Sequence, residues 1–408
     1  MRQFSRLLPW LGVAMLVTSC GDSFAPITDL PRQLTVAEVD LIEADNRFAF
    51  KLFQEINEQE GDKNIFISPL SVAMALGMTY NGAAGTTQEA MEQALELQGM
   101  TLENVNQAYR GLIDLLRDLD PRVEFLLANS IWYRHTMTFE QDFLDRNQQF
   151  FDAEVTGLDF GDPSASQTIN GWVNDHTNGK IQEIVPGQIP ADIIMYLINA
   201  VYFKGDWTYQ FDKSRTQDAS FTLVNGAQTT VDMMSQNGEI EIGLTWQDGV
   251  FVADLPYGGE AYSMTILLPE SAEEIHALVE ELTQDNWDTW IAGLEPNEIS
   301  VSMPKFTLEY EITLNEVLEA LGMGIAFTGG ADFTRMYGPG GIWIDEVKHK
   351  TFVDVDEEGT EAAAVTSVSM TLSAPSSFVV DRPFLFVIRE RLSGSILFMG
   401  KMMDPTAG

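Results

Sequence analysis

Hydrophobic positions recur with a helical period at the start of the folded chain and with a strand's period later on. From Val36, Ala49, Leu52, Phe53 and Ile56 fall on one face, which predicts a first helix. Ser68-Pro69 opens a second, with Pro69 suited to a first turn and Gly82 and Gly85 closing it. Thr86, with Glu89 three residues on, is a capping-box signal for a third. Residues 123–133 and 194–203 are β-branched and aromatic enough to be strands, and residues 250–257 and 262–268 flank Gly258-Gly259 as a hairpin. Ile299, Val301 and Met303 alternate, and a helix is expected next, with Leu314, Val317, Leu318 and Leu321 on one face. In residues 344–357, Val347, His349, Thr351, Val353 and Val355 share one phase, while Lys348, Lys350, Asp354 and Asp356 share the other. That is a half-buried strand with a histidine on its apolar side. Residues 384–389 and 395–400 make a final hairpin. Helices early and hairpins late argue for α+β.

Composition adds limits. The 408 residues are 45% hydrophobic, enough for a large core. No Pro/Gly/Ser-rich linker divides the chain after Thr35, so residues 36–405 are expected as one domain. Lys plus Arg number 23 against 61 Asp plus Glu, a net charge of -38; a field of that sign repels phosphates, so nucleic acid is not expected as a partner. Residues 1–20 read as a leader. Arg2 and Arg6 precede an apolar run, residues 7–17, too short for an ordinary span. It ends in Val17-Thr18-Ser19-Cys20, which resembles a bacterial lipobox, and Cys20 is the only cysteine. Lipid at Cys20 would attach the protein to a membrane surface without spanning it, with residues 21–35 as a tether. The expected location is therefore outside the cytoplasm, on a bacterial cell envelope or beyond it.

Hydrolytic chemistry finds no footing. Nucleophilic catalysis needs a serine or cysteine beside a base, and the chain has 4 histidines and no Gly-x-Ser-x-Gly elbow. No zinc spacing and no phosphate-cradling loop occurs, so neither metal nor cofactor is expected.

The unusual segment runs from Gly359 to Arg382. A connection of that length inside a compact domain is functional or disordered. Residues 361–365 read equally as the start of an Ala-rich helix. Beyond them Thr366, Val368, Met370 and Leu372 alternate with Ser367, Ser369 and Thr371, a strand's period without proline until Pro375.

Here a resemblance becomes specific. Glu357-Glu358-Gly359-Thr360-Glu361-Ala362-Ala363-Ala364 resembles the hinge of the serpins, in particular their antitrypsin and antichymotrypsin branch. Asn64-Ile65-Phe66-Ile67-Ser68-Pro69-Leu70-Ser71 resembles the family's second-helix motif, and Asn199-Ala200-Val201-Tyr202-Phe203-Lys204-Gly205-Asp206-Trp207 its central-strand motif. Asp381-Arg382-Pro383-Phe384 and Phe398-Met399-Gly400-Lys401 are similar to its C-terminal strands. The resemblance implies a serpin fold: a large mixed sheet A, two further sheets, about eight or nine helices and an exposed reactive-centre loop near residues 357–382.

It also implies a monomeric suicide inhibitor of serine endopeptidases, with cysteine endopeptidases admitted, that inserts its cut loop into sheet A and holds the target covalently; loop insertion of this kind is a worked example of strand addition. Thr360, Ala362, Ala364, Thr366, Val368 and Met370 would face the core, none of them charged. Counting back from Pro383 on the family's spacing places the bait bond at Leu372–Ser373, and Thr371-Leu372-Ser373-Ala374 looks like a known family bait. Counting forward from Gly359 places it at Ser373–Ala374, and Met370 is a third position. Leucine suits a chymotrypsin-like or cathepsin-like apolar pocket, serine an elastase-like one. His349, Asn199, Ser68 and Ser71 are expected to gather at a shutter with a hydrogen bond across the seam, and Trp207 to lie under the seam's top. Heparin binding would want a basic helix near residues 101–120, where Arg110 and Arg117 stand amid Glu103, Asp114, Asp118 and Asp120, so none is expected. The other reading of the same fold is a non-inhibitory serpin, a binding or carrier module whose cut loop does not insert; the small hinge residues Ala362, Ala363 and Ala364 argue against it.

Overall fold

The computed structural model describes residues 25–236, 238–359 and 377–407. Helices α1 (Val36–Glu60), α2 (Pro69–Tyr80), α3 (Gly85–Ala94), α4 (Leu102–Leu116), α5 (Gln141–Phe151) and α6 (Pro163–His176) occupy the first half. Shorter helices α7 (Ile275–Glu280), α8 (Gln284–Ala292) and α9 (Asn315–Leu318) come later. Among the strands, β1 (Ile65–Ile67), β2 (Val123–Arg134), β3 (Glu154–Leu158) and β4 (Met195–Gly205) lie between helices. They are followed by β5 (Gln217–Thr222), β6 (Gln228–Ser235), β7 (Ile240–Gln247), β8 (Val250–Tyr257) and β9 (Tyr262–Pro269). The last are β10 (Glu295–Pro304), β11 (Phe306–Thr313), β12 (Lys348–Val355), β13 (Ser377–Val379), β14 (Phe384–Glu390) and β15 (Ile396–Met402).

Local signals account for the first two helices. Thr35 caps α1 with a reciprocal box: its hydroxyl accepts from Glu38 N–H (3.2 Å) while the Glu38 carboxylate accepts from Thr35 N–H (2.7 Å). Ser68 caps α2, whose residues are buried all round except Ala75, as befits a helix at the centre of a core. The third helix departs from expectation. It starts at Gly85 after an uncapped Ala84, held there by Ala84 N–H donating to Asp332 O, and the Thr87 hydroxyl accepts from Asp332 N–H instead of capping anything.

Between Met303 and the expected helix the chain makes a further strand, β11, which pairs antiparallel with β12 from Phe306↔Val355 to Thr313↔Lys348. Its alternation was present in the residues: Phe306, Leu308 and Tyr310 are buried between exposed Thr307, Glu309 and Glu311. The helix after it shortens to α9 and passes into a π turn where Gly322 takes φ +105°.

The fold is α+β, the serpin arrangement. One sheet follows the path β1-β15-β14-β9-β8-β7-β10-β6-β5, with β13 parallel to β10; β3-β2-β4 and β11-β12 are separate sheets. Helix α6 covers the outer face of β2 and β4 over Trp132, Ile169, Val173 and Ile198, whereas Phe203 points the other way, into the main core against Tyr257, Tyr262 and Phe398. The stretch expected as a tether lies against the fold by Ile27, whose N–H donates to Gly259 O (2.7 Å), and Leu30 and Leu34 pack on the core.

Candidate functional site

Strand β4 gives one edge to β2, from Val123↔Gly205 to Tyr133↔Met195, and β12 gives one edge to β11. Among the described residues no ladder joins the opposite edges of β4 and β12. Both strands run toward the same end, because Asp206 and Trp207, just past β4, meet residues 356–359, just past β12. Among the described residues, two parallel strands therefore face each other with no ladder between them. A cavity of about 270 Å³ lies between them, lined by residues 195–201, residues 344–351, Ser68 and Ser71.

The end where the strands meet is densely bonded. Trp207 N–H donates to Glu358 O (3.0 Å), Trp207 Nε1–H to Asp356 O (3.0 Å), and Phe211 N–H to Glu357 O (2.8 Å). The Trp207 ring stacks on Tyr257 at 4.3 Å between centroids. Glu357 is buried and takes hydrogen bonds from Thr216 Oγ1 (2.6 Å) and Lys305 Nζ (3.1 Å). Burial pushes its pKa up, but those bonds and the lysine charge outweigh it and hold the carboxyl below its ordinary value. Glu358 pairs with Lys213. Gly359 bridges to Asp206 at φ +137°, and a Cβ there would come within 2.3 Å of Gly205 O. Only glycine fits, for both backbone angle and space.

Midway along the seam, Ser68 N–H donates to His349 Nε2 (3.0 Å), the Ser68 hydroxyl to Leu397 O (2.8 Å), and Ser71 N–H to the Ser68 hydroxyl (3.3 Å). An imidazole that accepts at Nε2 is neutral, and burial lowers its pKa to about 4. On the other side Asn199 Nδ2 donates to Asn129 Oδ1 (2.7 Å), and Asn199 Oδ1 has no partner. The four expected residues thus split: His349, Ser68 and Ser71 are joined, while Asn199 bonds away from them. The expected hydrogen bond across the seam is not made, because the gap separates the strands that carry His349 and Asn199. Asn129 was overlooked; its signal was a buried polar residue among the apolar positions of β2. The hinge from Thr360 to Ala364, the bait residues Met370, Leu372, Ser373 and Ala374, and Cys20 lie outside the described residues. On α4, Arg110 pairs with Asp114 and Asp152, and Arg117 with Asp152.

Among the described residues, β4 and β12 therefore stand as neighbours without a ladder, joined at one end by the bonds of residues 356–359. The chain belongs to the serpin family of serine protease inhibitors, whose model matches residues 43–405. It is similar to the leukocyte elastase inhibitor of Sus scrofa, 36% identical over 374 residues that span 89% of this chain and 98% of the relative. Human serpin B4 is 33% identical over 90% of this chain and 99% of its own length. Among solved structures, the native thermophilic serpin tengpin matches with TM-score 0.81 and 32% identity, over 93% of this chain and 96% of tengpin. Human thyroxine-binding globulin matches with TM-score 0.82 and 27% identity, over 90% and 99%. The most similar curated relatives include animal leukocyte elastase inhibitors and B-type serpins, and they lend no support to a bacterial origin or a place beside antitrypsin.

Proposed function

We propose that this serpin inhibits serine endopeptidases by suicide: the target cuts the loop after Leu372, with Ser373 the runner-up, and the freed segment enters the gap between β4 and β12. The observation that carries the reading is that gap, two parallel strands without a ladder between them among the described residues and a glycine at their common end. The bridge Asp206↔Gly359 is antiparallel. Continued downward, that register would set Thr360 opposite Gly205, Ala362 opposite Phe203, Thr366 opposite Asn199 and Met370 opposite Met195. These partners include Phe203, which points into the core, so the uncharged phase of the loop would enter the core. On the β12 side, Asp356 N–H donates to Gly359 O (3.0 Å), a turn whose continuation sets Thr366 opposite His349. The Thr366 hydroxyl would then arrive between His349 and the unpartnered Asn199 Oδ1.

Insertion would complete ladders on both edges and bury Val368 and Met370, about 1.5–3 kcal/mol each. It would carry an ester at Leu372 roughly 40 Å from the hinge at about 3.4 Å per residue. The ester forms when the protease serine attacks the Leu372 carbonyl and the Ser373 amine leaves; displacement precedes hydrolysis. Until then kinetic stability preserves the gapped form. Leucine at the cut suits a chymotrypsin-like pocket and the runner-up serine an elastase-like one, and relatives named leukocyte elastase inhibitors support an elastase-like target.

Incubation with chymotrypsin and elastase tests this: an SDS-stable adduct, a released peptide beginning at Ser373, and a higher melting temperature after cleavage are expected. Clean cleavage with neither adduct nor thermal gain would favour the binding-module reading. The leader supports a second inference, lipid attachment at Cys20 and export to an envelope surface, under which Cys20→Ala abolishes detergent-phase partitioning.

A further inference from the structure

A buried carboxyl far from the hinge is connected to the seam. Asp45 on α1 is 6% exposed; its Oδ1 accepts from the Tyr109 hydroxyl of α4 (3.0 Å), and its Oδ2 is buried with no partner. No cation answers it. Helix α2 carries no charged side chain, and its Tyr80 turns to Glu92 and Gln88. On α4, Arg110 is engaged with Asp114 and Asp152, and Glu103 is exposed. On β15, Lys401 reaches Asn57 and Gly61 at the other end of α1. His276 of α7 pairs with Asp62, and Glu280 of α7, Asp285 and Asp288 of α8 and Glu316 of α9 are exposed.

From Tyr109 the contacts continue inward. Its ring lies 5.1 Å from Phe151 at the end of α5, both closing on Gly77 of α2, where a Cβ would come within 2.9 Å of the tyrosine. Phe151 O accepts from Asn129 Nδ2 (2.7 Å), and Asn129 Oδ1 accepts from Asn199 Nδ2 on β4. The path Asp45–Tyr109–Phe151–Asn129–Asn199 is unbroken.

We propose that Asp45 is a pH-responsive element whose ionisation loosens the α1–α4–α5 packing and, along this path, the β4 side of the seam. A bare carboxylate in that pocket cannot be solvated without parting the helices, whereas the neutral acid fits. Burial pushes the Asp45 pKa up to about 7, against the hydrogen bond from Tyr109 that lowers it. The folded form therefore binds a proton that the unfolded chain, titrating near 4, has released. Its stabilising effect is complete at low pH, declines from about pH 4 to about pH 7, and is absent above. The seam's relevance rests on the insertion reading, but the test does not.

Hydrogen exchange in the full chain, without protease, is followed at the β4 and β12 amides in wild type and Asp45→Asn between pH 5 and 9. The ratio of the two rates cancels intrinsic exchange and every other titrating group, including His349 and Lys401. It is expected to rise at least about ten-fold from pH 5 to pH 8 and then level off. Tyr109→Phe, which removes the bond that favours the carboxylate, is expected to move the same rise to higher pH, and it serves alone if Asp45→Asn does not fold. A flat ratio overturns the proposal, as does a pH response confined to α1 and α4, or a Tyr109→Phe profile superimposed on wild type.

Discussion

The two ends of one seam are built on opposite principles. At the hinge end, backbone and side-chain bonds cross from residues 207–211 to residues 356–358, and Glu357 and Glu358 each hold a lysine. Midway down, Asn199 bonds to Asn129 and Met74 and His349 to Ser68, with no bond between the two among the described residues, and a cavity of about 270 Å³ lies between the strands. Under the proposed mechanism, the bonded end would decide when the seam opens and the unjoined part would decide what an entering strand gains.

Placing a charge in the path of the incoming strand should do most harm. Thr360→Arg would set a guanidinium on the core side of the first inserted position, at a cost of several kcal/mol. The expected outcome is a substrate: titration against chymotrypsin should need at least about ten times more inhibitor per protease, with cleavage at an unchanged rate. Unaltered adduct yield would break the proposed register. Gly359→Ala tests the bonded end instead. The left-handed backbone and the contact with Gly205 O should lower native stability by about 2–4 kcal/mol in urea unfolding. A variant as stable as wild type would mean that the hinge is not held as described.

His349 sharpens the comparison through pH. Its folded pKa is lowered to about 4 by burial, so below the ordinary histidine value the unfolded chain takes up a proton that the native site refuses. Stability from this group is complete above about pH 6.5 and falls away toward pH 4, by about 3 kcal/mol at most. Measured against His349→Gln, whose profile lacks this contribution, the difference should grow as the solution is acidified. This sign is opposite to that expected for Asp45, which is why each needs its own near-isosteric reference. The smallest effect is expected from Lys213→Ala, since Lys213 is largely exposed and water screens its pair with Glu358. A large loss in melting experiments would make the ion pairs, rather than the backbone bonds of Trp207, the main latch.

Much of this was legible in the residues. The caps of α1 and α2, the hairpins β8–β9 and β14–β15, and the alternation of β12 with His349 inward all rest on neighbours in sequence, and local chemistry suffices for them. β11 was legible too, yet hidden behind the stronger signal of the helix expected after it. The start of α3 was not, because Ala84 is held by Asp332, a residue remote in sequence. Nor was the role of Asn129, whose meaning depends on Asn199 and Phe151 standing beside it.

Sequence alone determined the family and the α+β class, because motifs and periodicity are properties of the chain itself. Tertiary structure alone decided that β4 and β12 stand apart, that Gly359 is pressed against Gly205 O, and that His349 and Asn199 bond to separate sides. Those facts depend on distances between strands far apart in the chain, where a free backbone edge leaves no mark on the residues that carry it.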